Sequence, residues 1–283
     1  MISYSITFLT PLFSKGSYDN RPEVRPASIR GQLHWWFRAL GGSHNDEKSI
    51  FGGVHGGATA SKIVVRVGNL QGQSAEVATL PHKQGGQSSP KWAYKPGASF
   101  DLHVLERLGG LQANHRPAFE RTLETWLLLG TLGLRATRAA GSFAWQPLTA
   151  EGVAMPQSLD EWRSRCKDLL RNAPLKLHLV AEDFDSAEDA RRIVSDTIGG
   201  RDDHQGEDSL ARINYPLGRI GRGVRKTSPL RFRIIRVENK FHIAAVWDDR
   251  TAVTGNRPGD LNAVIQHLVA KDKKIGRLLA GFQ

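Results

Sequence analysis

The sequence predicts an α+β fold. Three observations carry this: residues 2–8 alternate with the period of a strand, the stretch between Pro26 and Gly42 has the period of an amphipathic helix, and strand and helix patterns then continue in turn. With 283 residues, 40% of them apolar, the chain is long enough to bury a sizeable core as one large domain or two ordinary ones. Global disorder is excluded.

In the first segment Ile2, Tyr4, Ile6 and Phe8 alternate with Ser3, Ser5 and Thr7, which is a strand and not a signal peptide. The passage from Pro11 to Pro26 is rich in turn residues and carries Lys15, Arg21 and Arg25. A helix follows, with Ser28 as the expected N-cap and Gly41-Gly42 as the stop. Within it Ile29, Leu33, Trp36, Phe37 and Leu40 share one face, while Arg30, His34 and Arg38 repeat every four residues on another.

Residues 62–68 and 99–105 are the next expected strands, and the polar stretch from Gly72 to Gly97 between them reads as a long loop or an arm. A second helix has Pro117 near its start and an apolar body through Phe119, Leu123, Trp126 and Leu127, broken by Gly130 and Gly133. A short strand at Ser142 to Trp145 completes the order β-α-β-β-α-β of a ferredoxin-like unit, which assigns residues 1–148 to a first domain.

Past a hinge-like passage from Pro147 to Pro156, residues 149–283 are expected to form a second unit of the same class. It contains helices near 159–170 and 186–198, the latter opening on Ser186 and Asp189, around a strand at 175–180. A polar run from Gly199 to Thr227, a hairpin of Leu230–Val237 and Lys240–Val246, and a last helix near 260–279 follow.

Lys and Arg number 39 against 28 Asp and Glu, a net charge of +11 that points to a polyanion, with nucleic acid the leading candidate. From Arg212 to Arg236 there are seven arginines and Lys226 with no acid, so this window supplies +8. Gly218, Gly221 and Gly223 lie among Arg219, Arg222 and Arg225, a flexible backbone able to follow a phosphate chain. Trp35 stands beside the helical stripe, where an aromatic ring and arginines together suit single-stranded bases. Gly133, Arg135, Arg138 and Gly141 form a third basic turn, with Ser142 at its end.

The single cysteine, Cys166, excludes an internal disulfide and a Cys-based zinc cluster, and implies a reducing compartment, by default the cytoplasm. No apolar run approaches the ~20 residues of a membrane helix. Motifs for nucleotide hydrolysis, dinucleotide binding, zinc proteolysis and the serine elbow are missing, so no cofactor is expected. Asp202, Asp203 and His204 are adjacent in a glycine-flanked run, which lacks the preorganisation of a metal site. Two alternatives remain open: a metal-independent endoribonuclease using His34, the histidine that lies within a basic motif, and a general single-strand binding protein.

Three blocks of residues resemble a known family. Thr10-Pro11-Leu12-Phe13, Arg25 to Gly31 running into Trp35-Trp36-Phe37-Arg38-Ala39-Leu40, and Glu47 followed by Ile50-Phe51-Gly52-Gly53 are similar to the N-terminal signature of the RAMP superfamily. Within it they are closest to the Cmr1 family of type III-B CRISPR effector complexes. The turn Gly133 to Ser142 resembles the family's glycine- and arginine-rich motif, although it reads Arg138-Ala139-Ala140-Gly141 where the family usually has Arg-Gly-x-Gly, and the chain is short for the family. Leu217-Gly218, Arg225 and Ser228-Pro229-Leu230 are similar to its C-terminal segment.

The resemblance implies two ferredoxin-like, RRM-related RAMP domains in a non-catalytic subunit. Such a subunit binds CRISPR RNA near its 3′ part, helps engage target RNA, and assembles with other RAMP and Cas subunits. Lys15, Arg21, Arg25 and Ser28 would flank the RNA path, Arg30, His34, Trp35 and Arg38 would present the helix, and Arg135, Arg138 and Ser142 would hold backbone at the turn. Arg219, Arg222, Arg225 and Lys226 would add the flexible basic loop. The rival within the same folds is a CRISPR RNA processing endonuclease of the Cas6 kind.

Overall fold

The computed structural model describes residues 1–17, 20–54, 56–180, 182–199, 219–221, 224–226, 228–248 and 250. The expected helix at 260–279 and the Asp202, Asp203 and His204 group lie outside the described residues, as does Arg222.

The elements run β1 (Ile2–Phe8), α1 (Pro26–Ala39), α2 (His44–Phe51), β2 (Ile63–Gln71), β3 (Ser74–Ala78), β4 (Pro90–Tyr94), β5 (Ser99–Glu106), α3 (Arg116–Leu129) and β6 (Phe143–Pro147). They continue through α4 (Leu159–Leu169), β7 (Leu175–Leu179), α5 (Ala187–Gly199), β8 (Arg219–Gly221), β9 (Val224–Lys226), β10 (Leu230–Val237) and β11 (Lys240–Asp248). The chain is α+β, as its patterning predicts.

The first sheet has the order β2-β5-β1-β6 with every pair antiparallel, the strand order of a ferredoxin-like unit. Tyr4, Ile6, Phe100 and Leu102 point to one face, where they are buried in a common apolar cluster with Ile29, Leu33, Trp36 and Phe37 of α1 and Leu123, Trp126 and Leu127 of α3. The periodicity of both helices thus marks their buried sides. The second sheet has the order β10-β11-β7, again antiparallel, with α5 between β7 and β10. This is the arrangement of three of the four strands of the same unit.

Three local expectations change. Helix α1 starts at Pro26, with Arg25 at the N-cap position and no side-chain cap, so Ser28 lies inside the first turn. Proline has no N–H to leave unsatisfied and its φ is already helical, so it opens the helix three residues early. Helix α2 is unforeseen. Ser43 caps it by accepting from the Asp46 N–H at 3.1 Å, but eight residues are too few to show a clear period. The stretch Gly72 to Gly97 is an arm with its own structure, a β3–β4 hairpin docked on the rest of the fold. Buried Arg191 of α5 holds it there, donating from Nη2 to the Ala78 and Thr79 carbonyls at 3.0 and 3.3 Å.

Arg233 of β10 joins the two sheets. Its side chain is buried, and its guanidinium donates to the carbonyls of Trp126 (3.3 Å), Gly130 (2.5 Å) and Phe143 (2.5 Å). It lies 4.4 Å from the Phe143 ring centroid and 5.8 Å from those of Trp145 and Trp162. Burial lowers its pKa to about 9. Cys166 is buried close by, and its thiol is pushed up to about 12 by that burial. Such a thiol is inert, which agrees with a structural role. Among the described residues no helix is long and apolar enough to cross a membrane.

Candidate nucleic-acid interface

The basic stripe of α1 flanks a cleft. Between the N-terminal half of this helix and β2 lies a cavity of about 480 Å³ lined by Arg30, His34 and Arg107. Pro26, Ala27 and Gly31 form its helical wall, and Ile63 to Val65 form the wall opposite. Arg30 and Arg107 are exposed. The uncapped N-terminus of α1 adds the positive end of its dipole.

His34 is held from behind. Its Nδ1 lies 2.6 Å from Oε1 of Glu47 on α2, a carboxylate only 6% exposed, and its ring packs 4.7 Å from that of Phe51. Arg38 Nε is 3.8 Å from the same Glu47 oxygen, while its side chain is 60% exposed. The stripe is therefore a row of basic groups in which His34 and Arg38 lie against one buried acid, with Arg30 outside that contact. Asp46 makes a parallel contact to His115 Nε2 at 3.3 Å, so the first turn of α2 fixes two histidines.

The basic turn after α3 is folded against the loop that follows β1. Leu134 N–H donates to Phe13 O at 2.6 Å and Gly141 N–H to Pro11 O at 2.9 Å. This places exposed Arg135 and half-buried Arg138 beside the segment leading to exposed Lys15. Glycine is needed at 133 and 141, where φ is +81° and +65° and a Cβ would lie 2.4 Å from Phe13 O and 2.0 Å from Leu132 O. Ala139 and Ala140 are fully buried, with Ala139 at φ +60°, so phosphate does not reach these two positions.

Two sequence expectations are corrected here. Ser142 is fully buried: its Oγ donates to Ala139 O at 2.9 Å and accepts from Ile234 N at 3.0 Å, which makes it a tie between the turn and β10. Trp35 is half-buried against the core, and the Arg231 guanidinium lies 3.7 Å from its ring centroid. That face of the ring is filled by the protein itself and is closed to a base. Arg231 and Arg233 accordingly leave the +8 window as packing groups, and burial lowers Arg231 to about 10. Alternation along β10 turns both side chains toward the helices of the first unit.

Arg21, Arg25 and Ser28 are exposed along the loop and the first turn of α1. Arg219 lies in β8 and Arg225 and Lys226 in β9, an antiparallel pair in which Arg219 is opposite Lys226. Arg107, Glu47 and the Ile63–Val65 wall were not found as site residues from sequence. Only the Ser43-x-x-Asp46 spacing before Glu47 signals the helix that carries it. Among the described residues no group of three or more His, Cys, Asp or Glu could hold a metal ion.

The profile of the RAMP superfamily matches residues 5–144, the segment that contains α1, the cleft and the basic turn. The chain is 26% identical over 184 residues to the CRISPR system Cmr subunit Cmr1-2 of Pyrococcus furiosus, covering 51% of this chain and 95% of that protein. It is 28% identical over 176 residues to Cmr1-1 of the same organism, covering 53% of this chain and 50% of the relative, so the match spans about half of Cmr1-1. The crystal structure of apo Cmr1 from Pyrococcus furiosus superposes with a TM-score of 0.60 at 18% identity, covering 87% of each chain. A chain of the type III-B Cmr-β complex bound to cognate target RNA gives 0.58 at 10% identity, covering 94% of this chain and 99% of that one. At these identities the structural likeness is one of fold. Signature, relatives and sheet order agree: residues 5–144 match the RAMP superfamily, and the chain is similar to Cmr1 subunits of the CRISPR system Cmr.

Proposed function

We propose that this protein is a non-catalytic RNA-binding subunit of a type III-B CRISPR effector complex. In this role it contacts the 3′ part of the guide and helps engage target RNA, beside other RAMP and Cas subunits in the cytoplasm. The observation that carries it is the cleft of Arg30, His34 and Arg107, continued by the exposed cations of the loop from Lys15 to Arg25 and by the turn at Arg135. These groups suit phosphate and sugar, which fixes register without reading sequence, as a guide of changing sequence requires. Among the described residues, Trp162, Cys166 and Ile235 share an apolar cluster with Tyr4 and Trp126.

The non-catalytic assignment rests on how the acids are used. Glu47 holds His34, Asp46 holds His115, and Glu106 holds Arg116 at 2.6 Å, which leaves these three carboxylates engaged. Purification of the tagged subunit from its host, with sequencing of bound RNA and identification of bound proteins, tests the assignment. Recovery of CRISPR RNA with other subunits supports it; a lone protein free of RNA overturns it.

One observation favours a second reading. The His34–Glu47 pair is the geometry that orients an imidazole as a general base in an RNA cleft. Incubation with repeat RNA in EDTA separates the two, because specific cleavage that His34→Ala abolishes identifies a metal-independent endoribonuclease.

A further inference from the structure

We infer that the cleft between α1 and β2 is a seat for a single unpaired nucleotide of the bound RNA. Its phosphate lies between Arg30 and Arg107, and its base and ribose lie on the Ile63–Val65 wall. The inference rests on the RNA-binding role proposed above and names the unit of RNA that this one cleft takes.

The cavity, about 480 Å³, falls within the ~300–1,000 Å³ span of small-ligand pockets. Its lining is mixed, with Arg30, His34 and Arg107 as the polar groups that converge on it beside Pro26, Ala27 and the Ile63–Val65 segment. A groove that only tracked backbone would need cations and little else; here half-buried Val64 and the edge of β2 face them, Ile63 and Val65 being only 2% and 9% exposed. Neither Arg30 nor Arg107 has an acidic partner among the described residues. Glu106, the neighbour of Arg107, is taken by Arg116 through two hydrogen bonds of 2.6 and 3.0 Å. The two guanidiniums therefore keep their attraction for an anion.

Strand β2 stands at the end of its sheet, with β5 on one side and no strand on the other among the described residues. Peptide groups that point away from β5 are available to the polar edge of a base. A peptide strand could pair with the same edge, but the Arg30 and Arg107 pair favours a phosphate-bearing occupant.

Gly31 is the position that makes room. It lies inside α1, lines the cleft, and a Cβ built on it meets nothing within 4 Å. Glycine weakens a helix interior relative to alanine, and no backbone requirement at 31 offsets that weakness. An unobstructed cleft mouth does.

The test uses the full chain and fluorescence anisotropy with a labelled single-stranded oligouridylate, with uridine 5′-monophosphate, uridine and inorganic phosphate as competitors. Gly31→Gln places a polar, helix-favouring side chain at the mouth, Gly31→Ala is its small control, and Arg107→Ala removes one exposed cation. The expected result is an affinity near wild type for Gly31→Ala and a loss of about tenfold or more for Gly31→Gln and Arg107→Ala, with melting temperatures not lowered. The monophosphate should compete better than uridine or phosphate alone. If wild type fails to bind RNA, the proposed function falls and this inference with it. If wild type binds and Gly31→Gln binds equally well, the RNA role stands and the nucleotide seat is overturned. Unchanged RNA affinity with lost subunit assembly would make the edge of β2 a protein seat and equally overturn it. Should Gly31→Gln not fold, Arg107→Ala decides, full affinity in that variant being the overturning result.

Discussion

The imidazole of His34 and the carboxylate of Glu47 meet at 2.6 Å with the acid almost wholly buried, so the basic face of α1 is aligned by a negative charge inside the protein. The anchor is structural before it is functional. Glu47→Ala leaves the His34 Nδ1 without this partner and should lower stability by about 1–3 kcal/mol, read as a shift in the urea midpoint at constant m-value. Stability unchanged in Glu47→Ala would show that the pair contributes nothing to the fold.

The two faces of α1 separate stability from binding. Trp36 is 1% exposed, and Trp36→Ala should cost about 3–5 kcal/mol as a core truncation. Arg38 is 60% exposed, and Arg38→Ala should leave the melting temperature nearly unchanged while weakening RNA binding. The opposite pattern would mean that the faces are reversed.

Binding to single-stranded RNA should depend steeply on salt. If ~4–6 phosphates are neutralised by the cleft, the loop and the turn, log K falls against log salt with a slope of roughly −3 to −4. A flat titration would remove the electrostatic basis of the interface.

Arg233 is a buried cation whose two Nη atoms donate to three carbonyls. Arg233→Ala removes these bonds and leaves the Gly130 and Phe143 carbonyls without this donor, and should cost about 3 kcal/mol or more. Differential scanning calorimetry checks it, and a melting temperature equal to wild type would refute the assigned role.

Acid lowers stability in part through Glu106. Hydrogen bonds from Arg116, and then from the Leu111 N–H, hold its carboxyl below the ordinary value of 4.5. A carboxylate depressed in the folded state stabilises above its unfolded pKa, and that contribution disappears as pH falls through the folded value. The stability advantage of wild type over Glu106→Gln should therefore be constant from about pH 7 to about 5 and shrink below the ordinary value, by a small amount because the pair is largely exposed. Chemical denaturation at a series of pH values measures it, and a gap that widens in acid would contradict the sign.

The first sheet and its helices were legible because burial imposes a period: strand alternation at Tyr4, Ile6 and Phe8, and helical spacing at Ile29, Leu33 and Trp36, are the direct imprint of one wet and one dry side. The site was legible as charge but not as geometry. Arginines at 231 and 233 look in sequence like those at 219 and 225, and only the alternation of β10 against a partner distant in the chain sends them inward. Glu47 and Arg107 carry no local pattern linking them to α1, since the Glu47 contact to His34 and the cleft that Arg107 shares with Arg30 form across the fold.

The grip on Arg233 also sets a schedule. Its carbonyl partners precede it by 107, 103 and 90 residues. At ~5–20 residues per second of synthesis, the first sheet leaves the ribosome on the order of ten seconds before the guanidinium that completes it. During that interval the N-terminal half lacks the donor for its Gly130 and Phe143 carbonyls, while Trp126 O accepts from the Gly130 N–H at 2.7 Å, and water or a chaperone must serve the open acceptors until β10 arrives.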